Sequence, residues 1–227
     1  MNPIDENLIN YFDEIDIQTP QSDNNPDVYV FLLDEFSGKD TLKRDFDYDL
    51  QPFENKLIER EFIVPTSYSN YPNTEFSLPS IMNMMYMDNL VAGIENNSKD
   101  FRITNEIVKI NNVMKIFKAN NYEIITFFGG MHNSYSTHLV DKKLCAFGGF
   151  NPDLKKNFVL TYMPISYFNE ILLENQSREK LKCVFKTFED NAFDDNSKSK
   201  FVLAHLRLPH EPYVYDENGN IIQNKNP

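Results

Sequence analysis

The stretch Val28–Leu33, V-Y-V-F-L-L, constrains the fold of this chain more than any other feature. An unbroken apolar run of this length is typical of a strand that is covered on both faces in a parallel sheet. It ends abruptly in Asp34-Glu35. Further candidate strands, Glu123–Phe128 and Lys200–Leu206, alternate with helical patterns. The order of elements therefore predicts an α/β fold, a mostly parallel sheet covered by helices.

Helices are predicted where apolar residues recur at helical spacing between start and stop signals. They are Pro52–Arg60, Glu75–Met87, Asn105–Asn120, Ile165–Glu174 and Arg178–Phe188. In the first of these, Phe53, Leu57 and Ile58 are expected to face inward. A short strand is expected at Phe62–Val64. The strand Lys200–Leu206 is expected to lie at an exposed edge of the sheet, where unpaired backbone groups favour self-association.

Composition excludes several classes of protein. The 227 residues are 41% hydrophobic, enough for a folded core, and carry a formal net charge of -12. That charge repels a phosphate backbone, and because Lys and Arg do not cluster, nucleic acid is not expected as a partner. No run approaches the roughly 18 apolar residues of a membrane span. Residues 1–27 are expected to be an acidic linker or disordered tail before a domain over residues 28–227. Cys145 and Cys183 lie in no C-x-x-C pattern and suggest neither a zinc site nor a redox pair.

Polar side chains follow three of the candidate strands at the point where each strand ends. They are Asp34-Glu35, the segment from Gly129 through His132, and the segment from His205 through His210. Ligands of open parallel sheets bind beyond the carboxyl ends of the strands. Any one of these groups could simply solvate the sheet edge, but the three together predict a functional site. His132 and His138 themselves are interpreted as loop histidines.

Two of the side chains suggest metal chemistry. Adjacent carboxylates such as Asp34 and Glu35 repel each other unless solvent or a cation intervenes, and hard cations prefer oxygen ligands. Thr74 stands at a predicted helix start, where the free N–H groups favour an anion. Its hydroxyl could cap that helix. Alternatively, Thr74 is a nucleophile, which requires that it share a cation with Asp34.

Three sequence blocks carry a resemblance to a known family. They read V-F-L-L-D-E-F, N-Y-P-N-T-E-F-S-L-P-S and H-L-R-L-P-H-E-P-Y-V-Y-D-E-N-G, and they span about residues 26–219. In order and approximate spacing the blocks resemble the alkaline phosphatase/sulfatase superfamily, and most closely its sulfatase-like, phosphoglycerol-transferase (lipoteichoic acid synthase-like) branch. The resemblance implies the N-terminal portion of an alkaline phosphatase-like three-layer sandwich.

The resemblance also implies roles for individual residues. Asp34 corresponds to a metal ligand, with Glu35 as a candidate second ligand. Thr74 corresponds to the nucleophile, which also binds the metal. His210 corresponds to a substrate-binding histidine, with His205 as its companion. The cofactor would be a divalent metal ion, Mn, Mg, Ca or Zn, and the substrate a small-molecule, lipid or glycan ester.

The chain departs from the family pattern in two places. The segment N-T-E-F-S at Thr74 has neither the Pro nor the Arg of the sulfatase C/S-x-P-x-R motif, which favours phosphate over sulfate esters. The family takes further metal ligands, an Asp-His pair, from a later strand, and the sequence ends at Pro227 before such a strand. The domain is therefore expected to be incomplete at its C-terminus, and this chain alone is expected to show little or no turnover of phosphate or sulfate esters.

The sequence has two alternative interpretations besides the ester-processing enzyme. One is a non-catalytic α/β remnant or interaction module. The other, a nucleotide-binding Rossmann domain, is disfavoured because no G-x-G-x-x-G motif occurs. Family members are often membrane-anchored with an extracytoplasmic catalytic domain, so a membrane would be reached only through segments outside this chain. The compartment itself is not predicted.

Overall fold

The computed structural model of the protein describes residues 25–88, 102–127, 138–145, 166–190, 193, 198–206, 208–210, 213–216 and 218–222. In this part of the chain, five helices follow the first strand, and one long helix separates the third strand from the last. In order they are β1 (Val28–Leu33), α1 (Lys39–Phe46), α2 (Gln51–Ile58), α3 (Thr74–Asn83), α4 (Arg102–Lys109), α5 (Asn112–Ala119), β2 (Glu123–Phe127), β3 (Lys142–Leu144), α6 (Ser166–Glu189) and β4 (Lys200–Leu206). The predicted α/β fold with a parallel sheet is confirmed. Among the described helices, none is both long and apolar enough to cross a membrane.

The sheet has four strands in the order β1-β4-β2-β3, and every pairing is parallel. All seven residues of β4 are buried. The prediction that Lys200–Leu206 forms an exposed edge is wrong, because β4 pairs with β1 on one side and with β2 on the other. Its largely apolar sequence, K-F-V-L-A-H-L, fits this central position, which is buried on both faces.

The strand β1 lies at an edge of the sheet. Its residues alternate between partly buried and exposed, and the side chains of Tyr29, Phe31 and Leu33 remain 41%, 48% and 42% exposed. Phe188 of α6 covers part of this face, with its ring centroid 4.6 Å from that of Phe31. The expectation of a strand covered on both faces is therefore wrong for β1, although it describes β2 and β4.

The core consists of two apolar clusters, one on each face of the sheet. Successive residues of β2 point to opposite faces, so Ile124 packs in one cluster and Ile125 in the other. Helices α3, α4 and α5 cover the first face through Leu78, Met82, Val108 and Met114. Helix α6 covers the second face through Leu181 and Val184. The sheet is thus enclosed between two helical layers.

Several predicted helix boundaries differ from the structure. The single helix expected over Asn105–Asn120 is two helices, because the buried side chain of Asn111 caps α5 by accepting from Met114 N at 2.8 Å. An N-cap residue has non-helical backbone angles, so the chain must break there. Conversely, the two helices expected at Ile165–Glu174 and Arg178–Phe188 are one continuous helix, α6.

The segment that follows β1 was predicted least well. Helix α1 was not anticipated. No strand forms at Phe62–Val64, and of the three residues expected to face inward from α2, Phe53 and Ile58 are 49% and 54% exposed. The reason is that α2 makes no extensive contact with any described strand or helix, so within the described part of the chain little covers Phe53 and Ile58.

A disulfide joins Cys145, directly after β3, to Cys183 in α6. The two residues are 38 positions apart in the sequence, with Cα atoms 5.8 Å apart. Spacing alone cannot reveal such a pairing, because it depends on how β3 and α6 pack. The bond ties an edge strand to the helical layer that covers the second face.

Candidate functional site

The candidate site lies where β1 and β4 end side by side. The register pairs Leu32 with His205 and Leu33 with Leu206. The backbone N–H of Asp34 continues this pairing by donating to the carbonyl oxygen of Leu206 at 2.9 Å. The chain then turns sharply at Glu35, whose φ is 63°. Residues 34 and 35 are thereby held at the carboxyl edge of the sheet, next to the end of β4.

Asp34 and Thr74 are in direct contact at this edge. The Thr74 hydroxyl donates to Asp34 Oδ1 at 3.0 Å, and the Asp34 side chain is almost fully buried. Thr74 is the first residue of α3, but it does not cap the helix. Asn73 does so, because its side chain accepts from Phe76 N at 3.2 Å. The capping interpretation of Thr74 is therefore wrong, and its hydroxyl is directed to the carboxylate instead.

The loop before α3 is fastened to the helix by polar contacts that hold Thr74 in place. Asn70 donates to Ser80 Oγ at 2.9 Å. The hydroxyl of Tyr71 accepts from Met87 N at 2.6 Å. These bonds connect the loop to Ser80 within α3 and to Met87 beyond the end of the helix. The start of α3 therefore cannot shift without breaking them. The sequence contained no signal for this support.

The second oxygen of Asp34 faces His205. Nε2 of His205 lies 3.6 Å from Asp34 Oδ2, and both side chains are only 6% exposed. Within the described residues no group lies at hydrogen-bonding distance from Oδ2. The His205 imidazole is the largest influence on the pKa of Asp34 and lowers it, burial raises it by less, and the Thr74 hydroxyl lowers it further. Asp34 is therefore ionised at neutral pH.

Glu35 and His210 form a neighbouring pair. Nε2 of His210 is 3.3 Å from Glu35 Oε1. The histidine side chain is 20% exposed, whereas the glutamate side chain is 57% exposed. A protonated His210 also contributes to lowering the pKa of Asp34, which indicates that the two pairs lie close together. His210 is accessible from solvent, whereas His205 is not.

The structure thus brings together the five residues singled out from the sequence: Asp34, Glu35, Thr74, His205 and His210. The segment from Gly129 through His132 lies outside the described residues. His138 is exposed and stands apart from the described site contacts. In the sequence, all five were recognised as candidate site residues because they lie at the ends of predicted strands or at the start of a predicted helix. The sequence did not reveal that His205 would be buried while His210 is accessible.

The two oxygens at the centre of the site suit a hard cation. Ligands about 2.1 Å from an octahedral Mg²⁺ and at right angles to each other lie about 3.0 Å apart. Asp34 Oδ1 and Thr74 Oγ1 have that separation, with the hydroxyl proton now between them. No group of three or more His, Cys, Asp or Glu side chains able to hold a metal occurs in the described part of the chain. Asp34 and Thr74 therefore fit part of a cation site that needs further ligands, water included.

Comparisons of this chain with known protein families, with curated proteins and with solved structures gave no match.

Proposed function

We propose that this chain carries the nucleophile and a metal ligand of a metal-dependent hydrolase or transferase acting on phosphate esters. The hydrogen bond between Thr74 and Asp34, formed where β1 ends and α3 begins, is the observation that carries the proposal. The resemblance of the sequence to the alkaline phosphatase/sulfatase superfamily supports it. The absence of a C/S-x-P-x-R motif at Thr74 favours phosphate over sulfate.

A threonine hydroxyl needs activation before it can attack phosphorus. Asp34 is a poor general base, since its pKa is lowered by His205 and Thr74, but an ionised buried carboxylate is a good cation ligand. When bound, a divalent cation would lower the pKa of the Thr74 hydroxyl and offset the charge of the phosphoryl group. The lowered pKa of Asp34 thus favours activation by a metal over activation by a base.

The chain's own residues then have distinct tasks. Thr74 Oγ1 attacks phosphorus, its proton passes to solvent, and the bond from phosphorus to the ester oxygen breaks as the alcohol leaves with a proton from water. Water or an acceptor alcohol next attacks phosphorus and gives its proton to solvent, the bond from phosphorus to Thr74 Oγ1 breaks, and Oγ1 takes a proton from water. The N-terminus of α3 stabilises the negative charge of the group bound to Thr74. His210, oriented by Glu35, faces the accessible side and holds the transferred group.

The test is turnover of phosphate monoesters and of glycerophosphodiesters by the full chain supplied with Mn²⁺ or Mg²⁺. Thr74→Ala should lower the rate at least about 1000-fold, whereas Thr74→Ser should retain activity because the attacking oxygen is kept. Ser77→Ala, one turn further along α3, is the matched control and should behave like the unmodified chain. Mass spectrometry after rapid quenching should find a phosphoryl adduct on the peptide that contains Thr74.

Undiminished turnover in Thr74→Ala would refute the assigned nucleophile. A folded chain that binds no Mn²⁺ and forms no adduct with any of these esters would favour the non-catalytic binding module.

A further inference from the structure

His205 occupies an unusual position for a polar residue. It stands in the central strand β4, between Ala204 and Leu206, which are both buried in the apolar cluster beneath α6. A buried polar side chain is costly unless a partner compensates it. The ionised carboxylate of Asp34, which is equally buried, lies 3.6 Å away. The free-energy cost of burial therefore favours keeping the two side chains together, an effect that would not apply to a histidine on the surface.

The two oxygens of Asp34 have different partners. Oδ1 accepts the hydroxyl of Thr74, whereas Oδ2 is directed to Nε2 of His205. Because Oδ1 is hydrogen-bonded to Thr74 and Oδ2 lies 3.6 Å from Nε2 of His205, a change of either side-chain torsion of Asp34, χ1 or χ2, would separate the carboxylate from one of them, so Oδ1 stays aimed at Thr74. Contacts of this kind are often long in unliganded sites and tighten when the ligand binds.

We infer that His205 is a positioning residue, which fixes Asp34 through Oδ2 and so presents Oδ1 and Thr74 Oγ1 to a divalent cation. This inference rests on the proposed function. It gives His205 a role different from substrate binding, because its side chain is only 6% exposed. His210, which is 20% exposed, keeps the substrate-facing role. Hydrogen-bond partners behind metal ligands commonly change metal affinity 10- to 100-fold.

A matched pair of variants separates positioning from mere folding. His205→Gln carries an amide nitrogen that reaches the place of Nε2, whereas His205→Asn carries the same amide too short to reach Asp34 Oδ2. Both replace the imidazole by a neutral polar group in the same strand. Thermal unfolding of the two full-length variants establishes that they are folded to a similar degree.

Two measurements are made on each folded chain. The first is the affinity for Mn²⁺ alone, by electron paramagnetic resonance of the free ion; His205→Asn should weaken it about 10- to 100-fold and His205→Gln by less than about threefold. The second needs no cation: NMR coupling constants report whether Asp34 keeps a single χ1 rotamer. The rotamer should be retained in His205→Gln and averaged in His205→Asn.

The outcomes distinguish the two proposals. Equal Mn²⁺ affinity in the Asn, Gln and unmodified chains, with one Asp34 rotamer in all three, would overturn the role of His205 and leave the proposed function standing. If the unmodified chain binds no Mn²⁺, the proposed function fails, and the coupling constants still decide whether His205 holds Asp34. Should His205→Asn not fold, the Gln variant decides alone: loss of both the rotamer and the affinity would contradict the inference.

Discussion

Helices α1 and α2, which precede Thr74, bury far less apolar surface than helices α3, α4 and α5. Helices α3, α4 and α5 bury apolar side chains against the sheet, and Met114 and Ile107 are fully buried there. Helix α1 buries no residue, and the one buried residue of α2 is Glu54, which is paired with Lys39 of α1 at 3.4 Å. Large apolar side chains in this part of the chain are instead exposed: Phe46, Tyr48, Phe53, Ile58, Phe62, Ile63 and Tyr68.

The difference shows that an amphipathic pattern does not by itself bury a helix. Helices α3 to α5 lie over the central strands β2 and β4, which supply an apolar face. Helices α1 and α2 follow the edge strand β1 and make no extensive contact with any described element. Helical stability comes mainly from tertiary packing, so the region of α1 and α2 should open at a lower free energy than the rest.

The sharpest test compares one isoleucine from each region. Ile124→Ala removes a fully buried side chain from β2 and should lower the free energy of unfolding by about 2–5 kcal/mol, through lost burial and a cavity. Ile58→Ala in α2 makes the same chemical change at a side chain that is 54% exposed, and should stay within about 0.5 kcal/mol. Chemical denaturation of both variants measures this.

A large loss in Ile58→Ala would mean that α2 packs against something in solution, and the contrast between the two regions would not hold.

A buried amide provides the next test. Asn83 at the end of α3 accepts from Asn112 N at 3.1 Å and donates to the carbonyl oxygen of Pro79 at 2.9 Å. Asn83→Ala leaves these buried groups unpaired and should cost about 1–3 kcal/mol of stability. Asn55→Ala in α2 removes an exposed hydrogen bond with Gln51 and serves as the matched control, with little expected effect. Equal midpoints of thermal unfolding for the two variants would contradict the prediction.

The smallest expected effect concerns acid stability. Burial raises the pKa of Asp141, but Lys118 and the backbone N–H of Ile124 outweigh it, so the net pKa is lowered. The folded-state pKa then lies below the unfolded one. Asp141 therefore stabilises the fold above its ordinary pKa of about 3.9, and this contribution is lost as the pH falls through the lower folded value. Asp141→Asn should therefore reduce the loss of unfolding free energy that occurs as the pH falls through the acidic range, the acid side of the stability curve.

The control for this effect is Asp45 in α1. Its pKa is also lowered, by Arg44, but both side chains are exposed on a helix that packs against little. Salt screens such a pair, so Asp45→Asn should leave the acid side of the curve unchanged at high ionic strength, where Asp141→Asn still alters it. Urea midpoints measured across acidic pH at two salt concentrations decide this. Equal effects of both substitutions at high salt would contradict the contrast.

Three of the four described strands and the residues of the candidate site could be predicted because their signals are local. Glu123–Phe128 and Lys200–Leu206 were recognised by their largely apolar sequences, and Asp34 and Thr74 by their places after a strand and at a helix start. The boundary between α4 and α5 could not be predicted from such local patterns. Asn111 is compatible with a helix interior on periodicity alone, and its capping role depends on its burial against Val108, to which it donates at 2.7 Å.

The sequence by itself determined that β1, β2 and β4 would form and that Asp34 and Glu35 would follow the end of β1, but it did not indicate β3 and wrongly predicted a strand at Phe62–Val64. Only the tertiary structure decided that β4 lies between β1 and β2, that Cys145 meets Cys183, and that Asp34 meets Thr74 across 40 positions of sequence. Local patterns arise from interactions between chain neighbours. The choice of strand partner depends instead on contacts between distant segments, whose combined burial outweighs any local preference.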